Sequence, residues 1–443
     1  VNRLIDTVER LRDGGSKVAV AGFSQGAAVV LVALRSGLVA DAAVAVRGFF
    51  PEHDDIGSLP QSATATARCA LLSVAGSTDE VVPEFLSSDA AALLASGGHE
   101  VTAIVEDEAH ALSPHAADFA REWLVERTGR RMRCSISLPT DRVGAGEEFL
   151  SVDGIADLAA GYERLGFDGC YVTDHPAPDE RWLNAGGHHA LEPTVALAVA
   201  ASATRHLRLH TNIYVLGYRN PFLAAKALAS VDVVSGGRLI VGVAAGYLRP
   251  EFAALGANFD DRSSELDAAL ELLPQIWSGE IVATSGSDWT ARGVRALPTP
   301  SSRPHPPLWV GGNSTAAMRR AVRFGQGWSP FPTPDGLATA TRTASITHLD
   351  DLRTRIALLR EFSNEAGRDE LPTICFAPFS LAALTADPTS SCAPLSEEIG
   401  ELADMGVSWI TVEASGSTRT EVLDRAEEIG TALGLGRSTP RGE

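Results

Sequence analysis

Gly22-Phe23-Ser24-Gln25-Gly26 is a G-x-S-x-G stretch set between a β-branched run at 17–22 and an apolar helical pattern. In that context glycines relieve crowding at a sharp strand-to-helix turn, and the serine oxygen is lifted out for attack. Asp79 follows a second run at 70–75, and His110 a third at 101–106. Taken in this order, each just past a strand end, the three residue types supply a nucleophile, an orienting carboxylate and a base. Further along, Asp174-His175 ends the run 169–174. A histidine beside a carboxylate suits acid–base work, or the stabilisation of charge on a bound ring. Gly242 to Gly246, and then Gly311-Gly312-Asn313-Ser314, end two later runs. Glycines there let backbone N–H groups approach a flat ring or a phosphate. A helix starting near Thr315 makes the second group a ready anion site, with plain strand-end turns as the alternative for both glycine groups.

The elements that must position these residues are short β-branched runs alternating with amphipathic helices, the pattern of parallel α/β architecture. In the first block strands are expected at 17–22, 43–48, 70–75 and 101–106, with helices around 2–12, 25–36, 85–97 and 114–127. The basic, non-periodic segment 128–133 marks a boundary, giving domains 1–130 and 131–437. In the second block strands are expected at 134–138, 169–174, 207–213, 238–244, 308–312, 326–330, 373–378 and 408–412. Most are followed by a helix, which points to a (β/α)₈ TIM barrel with its chemistry at the C-terminal strand ends. Pro274 should kink or end the helix 263–277. The polar stretch 280–306 reads as an insertion and 331–347 as a loose loop, both shaping a substrate pocket.

The 443 residues carry 37 basic and 56 acidic side chains, a net charge of −19. The excess is shared by both blocks, which speaks against nucleic acid or an anionic membrane as partner. Five scattered cysteines without a C-x-x-C pair fit reduced thiols and a cytoplasmic location, and no run is long and apolar enough for a membrane span. His188 and His189, with Glu192 beyond them, lack the spacing of further metal ligands and are assigned to the loop surface or substrate rim. No metal is expected. Arg219, Arg249, Arg295 and Arg303 are candidates for a local basic patch, with a surface ion pair as the alternative for each.

The first block, through GFSQGA, GSTDEVVP and the His110 region ending at Trp123-Leu124, resembles the C-terminal half of the carboxylesterase/phospholipase-like α/β-hydrolases. The resemblance implies a partial hydrolase sheet with Ser24, Asp79 and His110 as its triad. Such enzymes carry several strands and a His-Gly oxyanion loop ahead of the elbow, whereas here the elbow strand already opens at residue 17. The triad is therefore expected to be vestigial, and Val1 to mark a chain that begins partway through a hydrolase. Esterase activity would need the missing half from elsewhere.

The second block resembles the bacterial-luciferase-like superfamily, in its coenzyme F-420-dependent branch. The residues are Leu165-Gly166-Phe167-Asp168, Thr173-Asp174-His175, Asn220-Pro221, Ser235-Gly236-Gly237-Arg238, Gly246-Tyr247, Glu251-Phe252, Leu255-Gly256 and Pro306 through Ser314, leading to Gly327-Trp328. The resemblance implies a deazaflavin, coenzyme F-420, across the barrel top, with FMN as the alternative. His175 with Asp174 would face the redox ring. Thr211, Asn212, Gly242, Gly246, Tyr247, Gly311, Gly312, Asn313 and Ser314 would hold the cofactor, and a non-proline cis bond is expected within Thr211–Ile213. It further implies a small-molecule substrate, and a homodimer where the chain assembles.

Overall fold

The computed structural model describes all residues except 14–17, 52–68, 114–115, 118, 121–122, 125–131, 335–337, 339–342, 369, 388 and 436–443. The chain divides into two compact units, Val1–Arg131 and Met132–Glu443. In the first, β1 (Ala19–Phe23), β2 (Ala42–Val46), β3 (Ala70–Gly76) and β4 (Glu100–Glu106) form a parallel sheet in that order. Every residue of β2 is buried, as befits a parallel strand covered on both faces. The helices α1 (Asn2–Asp13), α2 (Gln25–Arg35) and α3 (Glu84–Ser96) accompany the sheet. The fourth expected helix, 114–127, falls partly outside the described residues.

The second unit is a closed eight-stranded barrel, with all its strand pairs parallel. Its strands are β5 (Arg133–Ser137), β6 (Gly169–Val172), β7 (Arg208–Val215), β8 (Leu239–Ala244), β11 (Leu308–Gly311), β12 (Gly327–Ser329), β13 (Thr373–Phe376) and β14 (Trp409–Val412). Helices that serve the site include α4 (Val152–Arg164), α5 (Glu180–Asn184), α6 (Pro193–Ala203), α7 (Pro221–Ser235), α8 (Arg249–Ala254), α9 (Arg262–Trp277) and α10 (Thr315–Phe324). Local punctuation explains their bounds. Asn220 caps α7 by accepting from the N–H groups of Phe222 and Leu223, Pro221 fills its first position, and left-handed Gly236 ends it.

One expectation is corrected. Helix α9 runs through Pro274 to Trp277, although the proline has no N–H for the carbonyl of Leu270. Buried Leu266, Ala269, Leu270, Leu273 and Ile276 hold it by packing. The stretch 280–306 contains an antiparallel hairpin, β9 (Val282–Ser285) with β10 (Thr290–Val294). Inside the barrel, Ile240, Trp309, Cys375 and Trp409 from four strands pack together, forming a solid floor beneath the C-terminal mouth. Among the described residues no helix is long and apolar enough to cross a membrane.

Candidate active site

In the first unit the turn from β1 to α2 holds Ser24 at φ 53°, ψ −118°, and a Cβ on Gly22 would collide with the backbone of Gly26 and Ala27. Only glycine permits the elbow to be that tight. His110 Nε2 lies 3.0 Å from Ser24 Oγ, and its Nδ1 lies 2.8 Å from Asp79 Oδ2. The other Asp79 oxygen accepts from the N–H groups of Val81 and Val82, both at 2.9 Å. Burial raises this carboxyl, but the Val82 N–H, His110 and the Val81 N–H together hold it below the usual carboxylate range. The three groups expected as a triad are thus within bonding reach of one another. As the first residue of α2, Gln25 keeps an N–H without an acceptor inside the helix, the position of an oxyanion donor.

Sequence reasoning missed what lies beneath them. Arg47 is 0% exposed, with φ at 56°. Its Nε stands 3.7 Å from Asp79 Oδ2 and its Nη2 3.5 Å from Glu106 Oε2, yet among the described residues none of its three guanidinium nitrogens has a hydrogen-bond partner. A lone arginine after the apolar run AAVAV was the available signal.

In the second unit the strand ends surround a cavity of about 460 Å³. His175, 9% exposed, forms part of its wall. Its Nε2 lies 3.3 Å from the Tyr247 hydroxyl and its Nδ1 3.5 Å from Glu251 Oε2, with no hydrogen bond made by Nδ1. Glu251 also accepts from the Tyr218 hydroxyl at 2.5 Å and the Ala177 N–H at 3.0 Å. Burial pushes Glu251 up, and His175, Tyr218 and Ala177 outweigh it, leaving the carboxyl below its ordinary range. Trp182 and His188 pack on the His175 ring at centroid distances of 4.4 and 4.9 Å.

The opposite end of the cavity is built for an anion. There Gly312, at φ 111°, leads into α10, whose cap Ser314 accepts from the Ala317 N–H at 3.2 Å. Arg262, Ser263 and Arg320 line the same cavity. Arg320 is held by Asp267 at 2.6 and 3.0 Å and by the Ser263 hydroxyl at 2.5 Å. Helix α9 carries Arg262 and Ser263, and α10 carries Arg320, so no linear motif announced them.

Of the residues expected to hold a cofactor, Asn212, Gly246, Tyr247, Gly311, Gly312 and Ser314 line the cavity, and Thr211, Gly242 and Asn313 do not. The Thr211 hydroxyl donates to the Gly242 carbonyl at 2.9 Å, and a Cβ on Gly242 would collide with the Thr211 carbonyl. These two bring β7 and β8 together. Asn313 is fully buried; its side chain bonds Phe331, Thr333 and Ala344 at 2.7–3.0 Å and so ties these three residues to the end of β11. The cis peptide bond falls at Asn212-Ile213.

Asp174 lines the cavity, but its carboxylate is spent elsewhere. It takes both ends of the Arg219 guanidinium at 2.7 and 2.9 Å and the Val215 N–H at 2.9 Å. Its role is to fix the end of β7. Of the two readings of the four arginines, the ion pair describes Arg219 and Arg249. Arg219 is committed to Asp174, Arg249 pairs with Asp260, Arg303 donates to backbone carbonyls, and Arg295 lines a separate groove with Trp289 and Lys226.

Fit to a flat anionic cofactor can be judged from the wall itself. The small residues Ala244, Ala245, Gly246, Gly311, Gly312 and Ala316 line the cavity together with His175, Ser314 and Arg320. Thr173 Oγ1 and His175 Nδ1 are buried without hydrogen-bond partners. Open polar atoms at one end and an anion-binding helix terminus at the other suit a ring system carrying a phosphate tail.

Residues 2–126 match the family model for phospholipases and carboxylesterases. Among curated relatives, the hydroxymycolic acid dehydrogenase of Mycobacterium tuberculosis, which is F-420-dependent, is 28% identical over 41% of this chain and 49% of that protein. The oxygenase component of the flavin-dependent trigonelline monooxygenase of Acinetobacter baylyi is 28% identical over 35% of this chain and 45% of that protein. The chain thus spans about half the length of these relatives. A solved monooxygenase structure from Streptomyces bottropensis superposes with a TM-score of 0.54 at 21% identity, over 68% of this chain and 98% of that one, a likeness of fold. Relatives in this group are oxidoreductases or monooxygenases that use F-420 or a flavin. The model for luciferase-like monooxygenases matches residues 132–391, more than half of the chain, and the chain belongs to that family.

Proposed function

We propose that the barrel is a coenzyme F-420-dependent oxidoreductase, transferring a hydride to or from a small organic substrate. The observation that carries this reading is the graded cavity, with His175 and open polar atoms at one end and Ser314, Arg320 and the α10 terminus at the other. A bound deazaflavin would supply a ring carbon that takes or gives two electrons as a hydride. The protein's part is placement. Tyr247 and Glu251 fix the His175 ring, the Gly–Ala wall gives a flat seat, and Ser314 with Arg320 and the helix N-terminus takes the phosphate. Trp182 packs on the His175 ring and covers part of it. The relative from Mycobacterium tuberculosis favours F-420; the one from Acinetobacter baylyi favours FMN as the second reading.

Titration of the purified full chain with F-420 and with FMN tests the choice. Tight F-420 binding with FMN ignored is expected, and preferential FMN binding with oxygen consumption would establish the monooxygenase reading. Equal affinity and turnover in His175→Ala would remove His175 from the site.

A hydrolase reading of the first unit is favoured by the Ser24–His110–Asp79 distances. An active-site fluorophosphonate should label Ser24, and Ser24→Ala should abolish labelling. An unlabelled Ser24 would make this unit a non-catalytic segment.

A further inference from the structure

We infer that Arg47 is a positioning residue of the Ser24–His110–Asp79 triad, a buried cation that favours an anionic Asp79 facing His110 without taking the oxygen that His110 uses. This rests on the hydrolase reading of the first unit given above.

The fold makes room for this side chain against local preference. Arg47 follows directly on the wholly buried strand β2, and it is a non-glycine residue in the left-handed region, at φ 56°. Its N–H donates to the Val74 carbonyl at 2.8 Å, which fixes the turn against β3. The side chain then passes the end of β3. A Cβ on Gly76, the last residue of that strand, would collide with the Glu108 carbonyl and with the Arg47 guanidinium. The guanidinium thus reaches both Asp79, just beyond β3, and Glu106, the last residue of β4, with His110 a few residues further on.

The distances indicate what the cation does there. One Asp79 oxygen accepts from the Val81 and Val82 N–H groups, and the other, Oδ2, faces His110 Nδ1 at 2.8 Å. Arg47 Nε stands off from that same Oδ2 at 3.7 Å. An arginine serving only as a strut would close to hydrogen-bond distance on its carboxylates, because leaving buried N–H groups unmade is unfavourable. Held off, Arg47 supplies charge and leaves Oδ2 to His110. Attack by Ser24 Oγ sends its proton to His110 Nε2, and Asp79 has to be an anion to hold the imidazolium that forms. Arg47 favours that anion. Glu106, 3.5 Å from Arg47 Nη2 and fixed by the Ser113 hydroxyl at 3.0 and 3.1 Å, takes up part of the cation's field.

The remaining charges nearby act through water. Glu80, Glu84, Asp107 and Glu108 are exposed and screened, and Phe23 meets the His110 ring with an apolar face. Among the described residues, Arg47 and Glu106 are the buried charges beside the Asp79–His110 pair. Removing one or the other should therefore move proton binding by the pair in opposite directions. Without Arg47 the pair takes a proton more readily, and without the charge of Glu106 less readily. A strut predicts no such pair of signs.

The test follows the rate at which a fluorophosphonate labels Ser24 in the full chain, as a function of pH. The acid limb should move up by about one pH unit in Arg47→Met and down by about half a unit in Glu106→Gln. Arg47→Lys keeps the charge and should leave the limb close to that of the parent. Limbs that stay in place while the rate falls, or that move in the same direction, overturn the inference, as does a limb in Arg47→Lys displaced as far as in Arg47→Met. Should Arg47→Met not fold, Glu106→Gln decides: a downward shift supports the inference and an unmoved limb overturns it. Absence of labelling in the parent protein sinks the hydrolase reading instead. Nitrogen-15 NMR titration of His110 in the parent and the same variants then decides the role of Arg47, by the same opposite shifts or by their absence.

Discussion

The two candidate sites treat their polar groups in opposite ways. Around Ser24 each group is satisfied by the next: Ser24 to His110, His110 to Asp79, Asp79 to two backbone N–H groups. Around His175 the cavity keeps polar atoms open, with Thr173 Oγ1 and His175 Nδ1 lacking hydrogen-bond partners. A site whose chemistry resides in its own side chains can bond them to one another in advance. A site that works on a bound group must hold some bonding capacity in reserve. The contrast extends downward, because each site stands over a fully buried basic residue. Arg47, beneath the triad, remains a cation between two carboxylates. His210, in β7 beneath the barrel mouth, is buried with both nitrogens unpartnered against Trp309 at 4.8 Å. Burial pushes its pKa down to about 3, assisted by Arg208. Pairing and neutralisation are the two ways of removing a base from water, and this chain uses one in each unit.

The largest expected effect breaks the paired case. Arg47→Met fills similar space but takes the counter-charge from Asp79 and Glu106. Removing one partner of a buried ion pair costs about 3–5 kcal/mol. Amide hydrogen exchange over β2 and β3 should accelerate accordingly, while exchange in the barrel strands stays unchanged. Unaltered protection in β2 and β3 would mean that Arg47 is an incidental passenger of the core.

The neutral case gives a smaller and pH-dependent effect. His210 has a folded pKa near 3, against about 6.5 in an unfolded chain. Below pH 6.5 the unfolded chain binds a proton that the fold refuses, so stability is lost as pH falls from 6.5 toward 3. By pH 5 the loss is about 2 kcal/mol. His210→Leu should flatten this slope in hydrogen exchange of Arg208–Val215. An identical acid slope in the variant would place the titration elsewhere.

Legibility from sequence follows the same division between local and distant causes. The barrel strands and the triad could be read because each depends on a short β-branched run and the residue just beyond it. Asn313 was misassigned because a polar residue after Gly311-Gly312 looks like a ligand contact, whereas its partners Phe331, Thr333 and Ala344 lie in a later loop. The hairpin of β9 and β10 escaped notice because its strands are mostly exposed and lack alternating apolar residues. What steadies it is Trp289, edge-on to Phe222 of α7 at 5.4 Å, a contact far removed in sequence. Arg47, His210 and Arg320 share that character: each takes its meaning from groups that only folding brings near.

The smallest effect tests whether the anion end of the cavity is the reserve capacity it is argued to be. Ser314 caps α10 through the Ala317 N–H and also lines the cavity. Loss of a capping side chain costs about 1 kcal/mol of stability, so Ser314→Ala should lower the barrel's midpoint only slightly. If the terminus also receives a phosphate, the same change should weaken binding of F-420, or of FMN should that be the cofactor. Inorganic phosphate should then protect the parent protein against thermal unfolding more than the variant. Helix termini and their dipoles act on anions within the first turn, so Ser314 is placed to report the effect. Equal protection of both proteins would move the anion to Arg262 and Ser263, and the glycine-led terminus would then be a turn and no more.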